Sequence, residues 1–196
     1  IDVPSWRKLI MNSGMDAVEG FEHANRIPVA PKDRKELDVK LGELSYPRAS
    51  ENPEFARLCR YYKVPEDVFN RTVDLIKNGS IKLKTNDNIP SVVVGAEELD
   101  ASAKGVYLVK LPAGNLRGAI LGKITDCCQS IGGNSEACVI DGLTRDNNSF
   151  YVLLKAKNKN FDPSKIDWAN LEQNADIAGQ GYVWRTQAGN IVMDSW

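Results

Sequence analysis

The chain has little net charge, one histidine and four cysteines, and it has no long apolar run. Each shortage removes a class of function. Its 25 Lys and Arg against 26 Asp and Glu give a formal charge of -1, so no basic field exists to hold a nucleic-acid backbone or an anionic membrane surface. The most basic stretch, Lys32 to Lys40, is diluted by Asp33, Glu36 and Asp38 and reads as a solvated face. No window approaches the roughly 20 apolar residues that a membrane-spanning helix needs, and no signal peptide precedes the first helix-like segment. Nucleic acid and membrane are therefore not expected partners.

Cys59, Cys127, Cys128 and Cys138 are too few and too unevenly spaced for a secreted disulfide framework. The adjacent Cys127 and Cys128 do not fit a two-residue-spaced zinc knuckle. Free thiols in a reducing compartment, the cytoplasm, are the expectation. His23 is distant in sequence from every cysteine, so a Cys-His hydrolase would have to recruit it across the fold. The Walker loop, the Rossmann glycine fingerprint, the His-Glu-x-x-His helix and the Gly-x-Ser-x-Gly elbow are all missing.

What is present reads as α+β, an N-terminal helical hairpin packed on a mostly antiparallel twisted sheet. The spacing predicts helices over residues 7–12 and 16–25, then a long loop from Ile27 to Ser50 with its three prolines. Asn52 and Pro53 suit the start of a helix, and Phe55, Leu58, Cys59 and Tyr62 form one apolar stripe. A second helix begins at Pro65, buries Phe69, Thr72, Val73 and Ile76, and ends at Gly79. From residue 81 the period changes to two. Strands are expected at Ile81–Lys84, Ser91–Val94, Val106–Leu111, Gly118–Ile124 and Phe150–Leu154, the last central because both its faces are apolar. Gly181–Arg185 and Asn190–Met193 read as a hairpin, with a polar insertion before it at Asp162-Pro163 and a helical stretch near Asp167–Gln173. Helices early and hairpins late argue against alternating βαβ units. The chain reads as one domain cut from a longer protein, with residues 1–80 mainly helical and 81–196 mainly β.

Two segments are candidates for chemistry. A strand ending at Ile124 and running into Asp126, with Gln129 three residues later, has capping-box spacing. With Lys123 beside it and Gly132-Gly133 after it, such a helix start could receive a phosphate or a pantetheine. The carboxylate of Asp126 opposes that reading, and a simply capped short helix is the plainer one. The second candidate is aromatic. Tyr61, Tyr62 and Phe69 lie on adjacent helices and could wall a flat ring, although Tyr62 and Phe69 also suit core packing; Tyr61 lies off the apolar stripe. In this scheme Lys110, Arg117 or Lys123 would neutralise phosphate.

The C-terminal half carries Lys110-Leu-Pro112, Leu121-Gly122, Cys127-Cys-Gln129, Phe150-Tyr-Val152, Gln180-Gly-Tyr-Val-Trp-Arg185 and Met193-Asp-Ser-Trp196. In these it resembles modules of Legionella-type effectors translocated by type IV secretion, some of which look like degenerate acetyltransferase folds. Within that group it is similar to the KLAMP domain. The resemblance implies recognition of an adenine nucleotide by tyrosine stacking, no catalytic role, and residence in the host-cell cytoplasm. Gln129-Ser-Ile-Gly-Gly-Asn134 also resembles the Gln-x-x-Gly-x-Gly turn of acetyl-CoA-dependent N-acetyltransferases, with Asn134 in the last glycine position. An acyl-CoA-dependent N-acyltransferase with acetyl-CoA as cofactor is therefore the second reading. An interaction domain that docks a host protein through exposed Trp and Tyr is the third.

Overall fold

Asn52 supplies the clearest local signal in the chain. Its side-chain oxygen accepts a hydrogen bond from the Phe55 backbone N–H at 3.2 Å, and Pro53 occupies the first helical position, where no N–H is needed. This start and its surroundings are seen in a computed structural model, which describes residues 17–95 and 104–194. The expected helix over 7–12 lies outside those residues. The chain divides into two compact units, Ile1–Lys77 and Asn78–Trp196.

The first unit holds helices α1 (Ala17–Asn25), α2 (Pro31–Ser45), α3 (Pro53–Tyr61) and α4 (Glu66–Lys77). Helix α2 stands where a loop is expected. The three prolines do not break it, because Pro28 and Pro47 lie outside it and Pro31 is its first residue. Leu37 and Leu41, four apart, turn one face toward Val18, Phe21 and Val29. Helix α3 ends where Lys63 takes a left-handed backbone (φ 55) and the Val64 N–H returns to the Cys59 carbonyl at 2.9 Å. The stripe packs as expected at Phe55, Leu58 and Cys59, all buried. Phe69 stacks on Phe55 at 5.5 Å and tilts against Tyr46 at 5.1 Å. The Tyr46 hydroxyl donates to the Val64 carbonyl.

The second unit is built on an antiparallel sheet of β1 (Val94–Gly95), β2 (Val106–Lys110), β3 (Asn148–Ala156), β4 (Ala175–Arg185) and β5 (Ile191–Met193), in that spatial order. Strand β3 is central, as its two-sided apolar pattern requires. The β4–β5 hairpin closes with the Thr186 N–H on the Asn190 carbonyl at 2.9 Å. Between β2 and β3 lie a 3₁₀ turn (Leu116–Ala119), the single turn α5 (Leu121–Ile124) and helix α6 (Glu136–Thr144); α7 (Leu171–Asn174) precedes β4. The fold is thus α+β.

Two expected strands are not strands, and of Ser91–Val94 only Val94 pairs, in β1. Gly118–Ile124 is helical: Asn115 accepts from the Arg117 N–H at 3.0 Å and starts the turn, and Gly118 to Gly122 is buried without interruption, so no period betrays it. Ile81–Lys84 is extended but pairs with no strand. Its Lys84 N–H bonds the Leu143 carbonyl at 3.3 Å instead, at the end of α6.

The two sheet faces are covered differently. Phe150, Val152 and Leu154 point to one side, where Phe150 meets Gly142 so closely that glycine is required. A Cβ on Gly142 would lie 2.4 Å from the Phe150 ring. Tyr151 and Val183 point to the other side, where Ile89 and Leu108 pack on them. Gly142→Ala should cost about 1–3 kcal/mol through overpacking, measured as a lowered urea midpoint with unchanged slope.

On the surface of the first unit, Glu51 accepts from both Arg48 and Lys77. Its hydrogen bond from Arg48, then that from Lys77, lowers its pKa from 4.5 to about 2. A carboxylate depressed in the folded state stabilises above its unfolded pKa, and that contribution is lost as pH falls from 4.5 toward 2. Glu51→Gln should flatten the fall in thermal midpoint across this window, followed by circular dichroism.

Candidate functional site

On the Tyr151 face, the segment from Thr85 to Val93 crosses the sheet and leaves a cleft of about 620 Å³. This lies within the range of small-ligand sites, about 300–1,000 Å³. Its floor holds Val109 and Lys110 at the end of β2, and its far wall is the loop from Pro163 to Trp168.

Charges fix the floor. The Lys110 ammonium donates to Asp87 Oδ1 and to the Ile89 carbonyl at 3.0 Å. Asp87 has a fully buried side chain, and its Oδ1 also accepts from the Ile89 N–H at 3.1 Å. Its Oδ2 has no hydrogen-bond partner and lies 3.7 Å from the Lys84 ammonium. Lys84 in turn donates to the carbonyls of Arg145, at 2.7 Å, and Asn148. Burial pushes the Lys84 pKa below its ordinary value, while the carboxylate of Asp87 pulls it back up. Asp87 thus takes both ammonium groups, Lys110 by a hydrogen bond and Lys84 across 3.7 Å, and of the two it is Lys110 that lines the cleft. Lys165, exposed on the far wall, is a second ammonium on it.

The far wall is assembled by short polar turns. Asp162 accepts from the Ser164 backbone N–H at 2.9 Å and from its hydroxyl at 2.6 Å. Those two bonds hold the Asp162 pKa below its ordinary value. Asp167 accepts from the Ala169 N–H at 3.1 Å and so opens the 3₁₀ turn Trp168–Asn170. This places the half-buried Trp168 on the cleft. Directly behind it, Leu171 is fully buried, and Glu172 receives two hydrogen bonds from Arg117, Nε at 2.7 Å and Nη2 at 3.0 Å. With side chains 4% and 6% exposed, that ion pair ties the wall to the turn preceding α5.

The residues singled out from the sequence fall into both units. Tyr61, Tyr62 and Phe69 belong to the first. Tyr61 is 49% exposed, but it meets the half-buried Tyr62 edge to face at 4.9 Å and 80°, so the two rings do not form a parallel-walled slot. Phe69 is fully buried between Tyr46 and Phe55; it is core, and its ring faces are already taken. Lys110, Arg117, Lys123 and Gln129 belong to the second unit. Of these, Lys110 lines the cleft and Lys123 is exposed on α5. Arg117 is spent on Glu172, so it positions the wall and cannot meet a phosphate. Gln129 is buried, donating to Asp194 Oδ2 at 2.8 Å and accepting from Gln180 at 3.4 Å.

The expected strand-to-helix phosphate cradle is not formed. Asp126 follows α5 with a left-handed backbone (φ 56) and caps nothing, and the next helix starts only at Glu136. All four strand pairings are antiparallel, so the splayed parallel strands that would accept pantetheine are not among the described residues. Asp87, Lys165 and Trp168 were not legible as site residues. The one available signal was a lone tryptophan inside a polar insertion.

All four cysteines are free, and His23 is exposed in the last turn of α1. Among the described residues, no group of three or more His, Cys, Asp or Glu side chains is placed to hold a metal ion. No helix among them is long and apolar enough to cross a membrane. No family model, curated protein or solved structure matches the chain.

Removing either partner of the Arg117–Glu172 pair strands a buried charge. Arg117→Met or Glu172→Met alone should cost about 3–5 kcal/mol, whereas the double replacement should recover most of it. Urea unfolding of the three variants checks this.

Proposed function

We propose that the second unit binds an adenine nucleotide in the cleft over Lys110, with the base stacked on Trp168 and the phosphates facing Lys110 and Lys165. One observation carries the reading: a single cleft of nucleotide size presents an aromatic ring, Trp168, and the ammonium groups of Lys110 and Lys165. Phosphate oxygens would take up the lysine hydrogen-bonding capacity that Asp87 leaves unsatisfied. The ring supplies stacking worth on the order of 1–3 kcal/mol. The resemblance of the C-terminal half to nucleotide-binding effector modules supports the same ligand class. It differs in the aromatic used, because Trp168 replaces the tyrosines in this proposal. The role in this reading is recognition.

The test is a thermal-shift and calorimetric panel of AMP, ADP, ATP and acetyl-CoA. A nucleotide at about 100 times its dissociation constant should stabilise the second unit by about 2.7 kcal/mol, a midpoint rise of roughly 5 °C. Trp168→Ala should weaken binding about 10- to 100-fold and Lys165→Glu should weaken it further as salt is lowered, while Tyr61→Ala leaves it unchanged. Loss of binding in Tyr61→Ala would place the ligand on the first unit instead. A response to acetyl-CoA but to none of the nucleotides would favour the acyltransferase reading.

A further inference from the structure

On the opposite sheet face, the loop between α5 and α6 folds back on itself. The Cys128 carbonyl accepts from the N–H of Ser130 at 3.0 Å and from that of Ser135 at 3.2 Å. The Ser135 hydroxyl reaches the Cys128 sulfur at 3.7 Å. Cys138 follows one turn later, its N–H on the Ser135 carbonyl at 3.1 Å. Residues three apart at a helix start are side-chain neighbours, about 5–6 Å between Cβ atoms, and helical side chains lean back toward the N-terminus. The Cys138 sulfur therefore leans toward the end of the loop on which the Cys128 sulfur rests. Cys128 is exposed and Cys138 partly so; both thiols are reachable from solvent.

We infer that Cys128 and Cys138 are an oxidant-responsive thiol pair that closes to an intramolecular disulfide when a hydroperoxide reacts with Cys128. The Cys128 thiolate attacks the peroxide O–O bond and becomes a sulfenic acid, with an alcohol or water as the leaving product. The Cys138 sulfur then attacks the sulfenic sulfur and gives up its proton, and the hydroxyl departs as water. Two electrons pass from the two thiols to the peroxide. The order of events follows from the surroundings of the two groups. Cys128 is exposed and meets the peroxide first, whereas Cys138 is only partly exposed, and burial, then the carboxylates of Asp194 and Asp141, push its thiol above its ordinary pKa. The neighbouring Cys127 is engaged differently, its sulfur accepting the Gln129 N–H at 3.5 Å. The Glu136 side chain accepts from the Gly132 N–H at 2.6 Å and ties the loop to the start of α6, the helix that carries Cys138.

Intact-mass spectrometry after treatment with hydrogen peroxide, without reductant, tests this. A monomer lighter by about 2 Da, restored by dithiothreitol, is expected. Peptide mapping should join Cys128 to Cys138, and the oxidised form should melt several degrees higher because a short loop is closed. Cys127→Ser should retain the mass loss, and Cys128→Ser and Cys138→Ser should each abolish it. Circular dichroism confirms that the three variants are folded. A mass loss that survives either of the latter substitutions, a disulfide-linked dimer, or a wild-type chain that gains oxygen without forming a cross-link would overturn the proposal.

Discussion

The buried carboxylate of Asp87, held between the ammonium groups of Lys84 and Lys110, is the constraint on which the second unit's cleft depends. The segment around it belongs to no strand, so its place over the sheet has to come from side chains. Lys84 anchors it to the turn after α6 and Lys110 to the end of β2. Asn88 adds a backbone bond to the Asp146 carbonyl at 2.7 Å. Ile89 then packs on Tyr151 and Val183, and Tyr151 donates its hydroxyl proton to the Pro90 carbonyl. Remove the central carboxylate and two buried cations would repel each other with no counter-charge between them. Lys110 serves both parts: it bonds the segment through Asp87 and the Ile89 carbonyl, and it lines the cleft.

The opposite wall rests on a second buried pair with a different character. Arg117 and Glu172 match each other in charge and geometry, so they leave nothing over for a ligand. Their effect is positional, fixing α7 and hence Trp168. The distinction explains why two basic residues of similar sequence prominence part company. Arg117 has a carboxylate to itself, whereas Lys110 shares one with Lys84.

Elements with one dominant local cause were legible in the sequence. The Asn52-Pro53 start, the stripe through Phe55, Leu58 and Cys59, the central strand at Phe150–Leu154 and the hairpin ending in β5 all follow from capping, periodicity or turn chemistry. What failed to show had no periodic signature. Helix α2 is sparse in apolar residues; among those described, Leu37 and Leu41 pack with Val18, Phe21 and Val29. The run from Gly118 to Gly122 is uninterruptedly apolar and buried, which a strand and a helix satisfy equally. The site was half legible for a related reason. Lysines and aromatics stand out by type, but whether each is free depends on partners 23 residues away for Lys110 and 55 for Arg117. Phe69 shows the same limit: a ring suited to stacking on a ligand is equally suited to stacking on Phe55.

The sheet explains how a cleft and a thiol pair can coexist in one small unit. Alternation along β3 sends Tyr151 toward the cleft and Phe150 and Val152 toward the helices. The latter side is closed by contacts that admit no added atom, at Gly118, Gly122 and Gly142. Packing that tight has little compressibility, so moving one side chain requires moving the next. The Cys128 loop is joined to this closed side at its margin, where Gln129 bonds Asp194 and Gln180, and Thr125 donates to Gln180 at 2.8 Å. Any strain from the loop therefore enters at the β4–β5 edge, while Lys110 lies on β2, on the other side of the rigid central strand. The two features therefore sit on opposite sides of β3, the cleft toward β2 and the thiol loop toward β4 and β5.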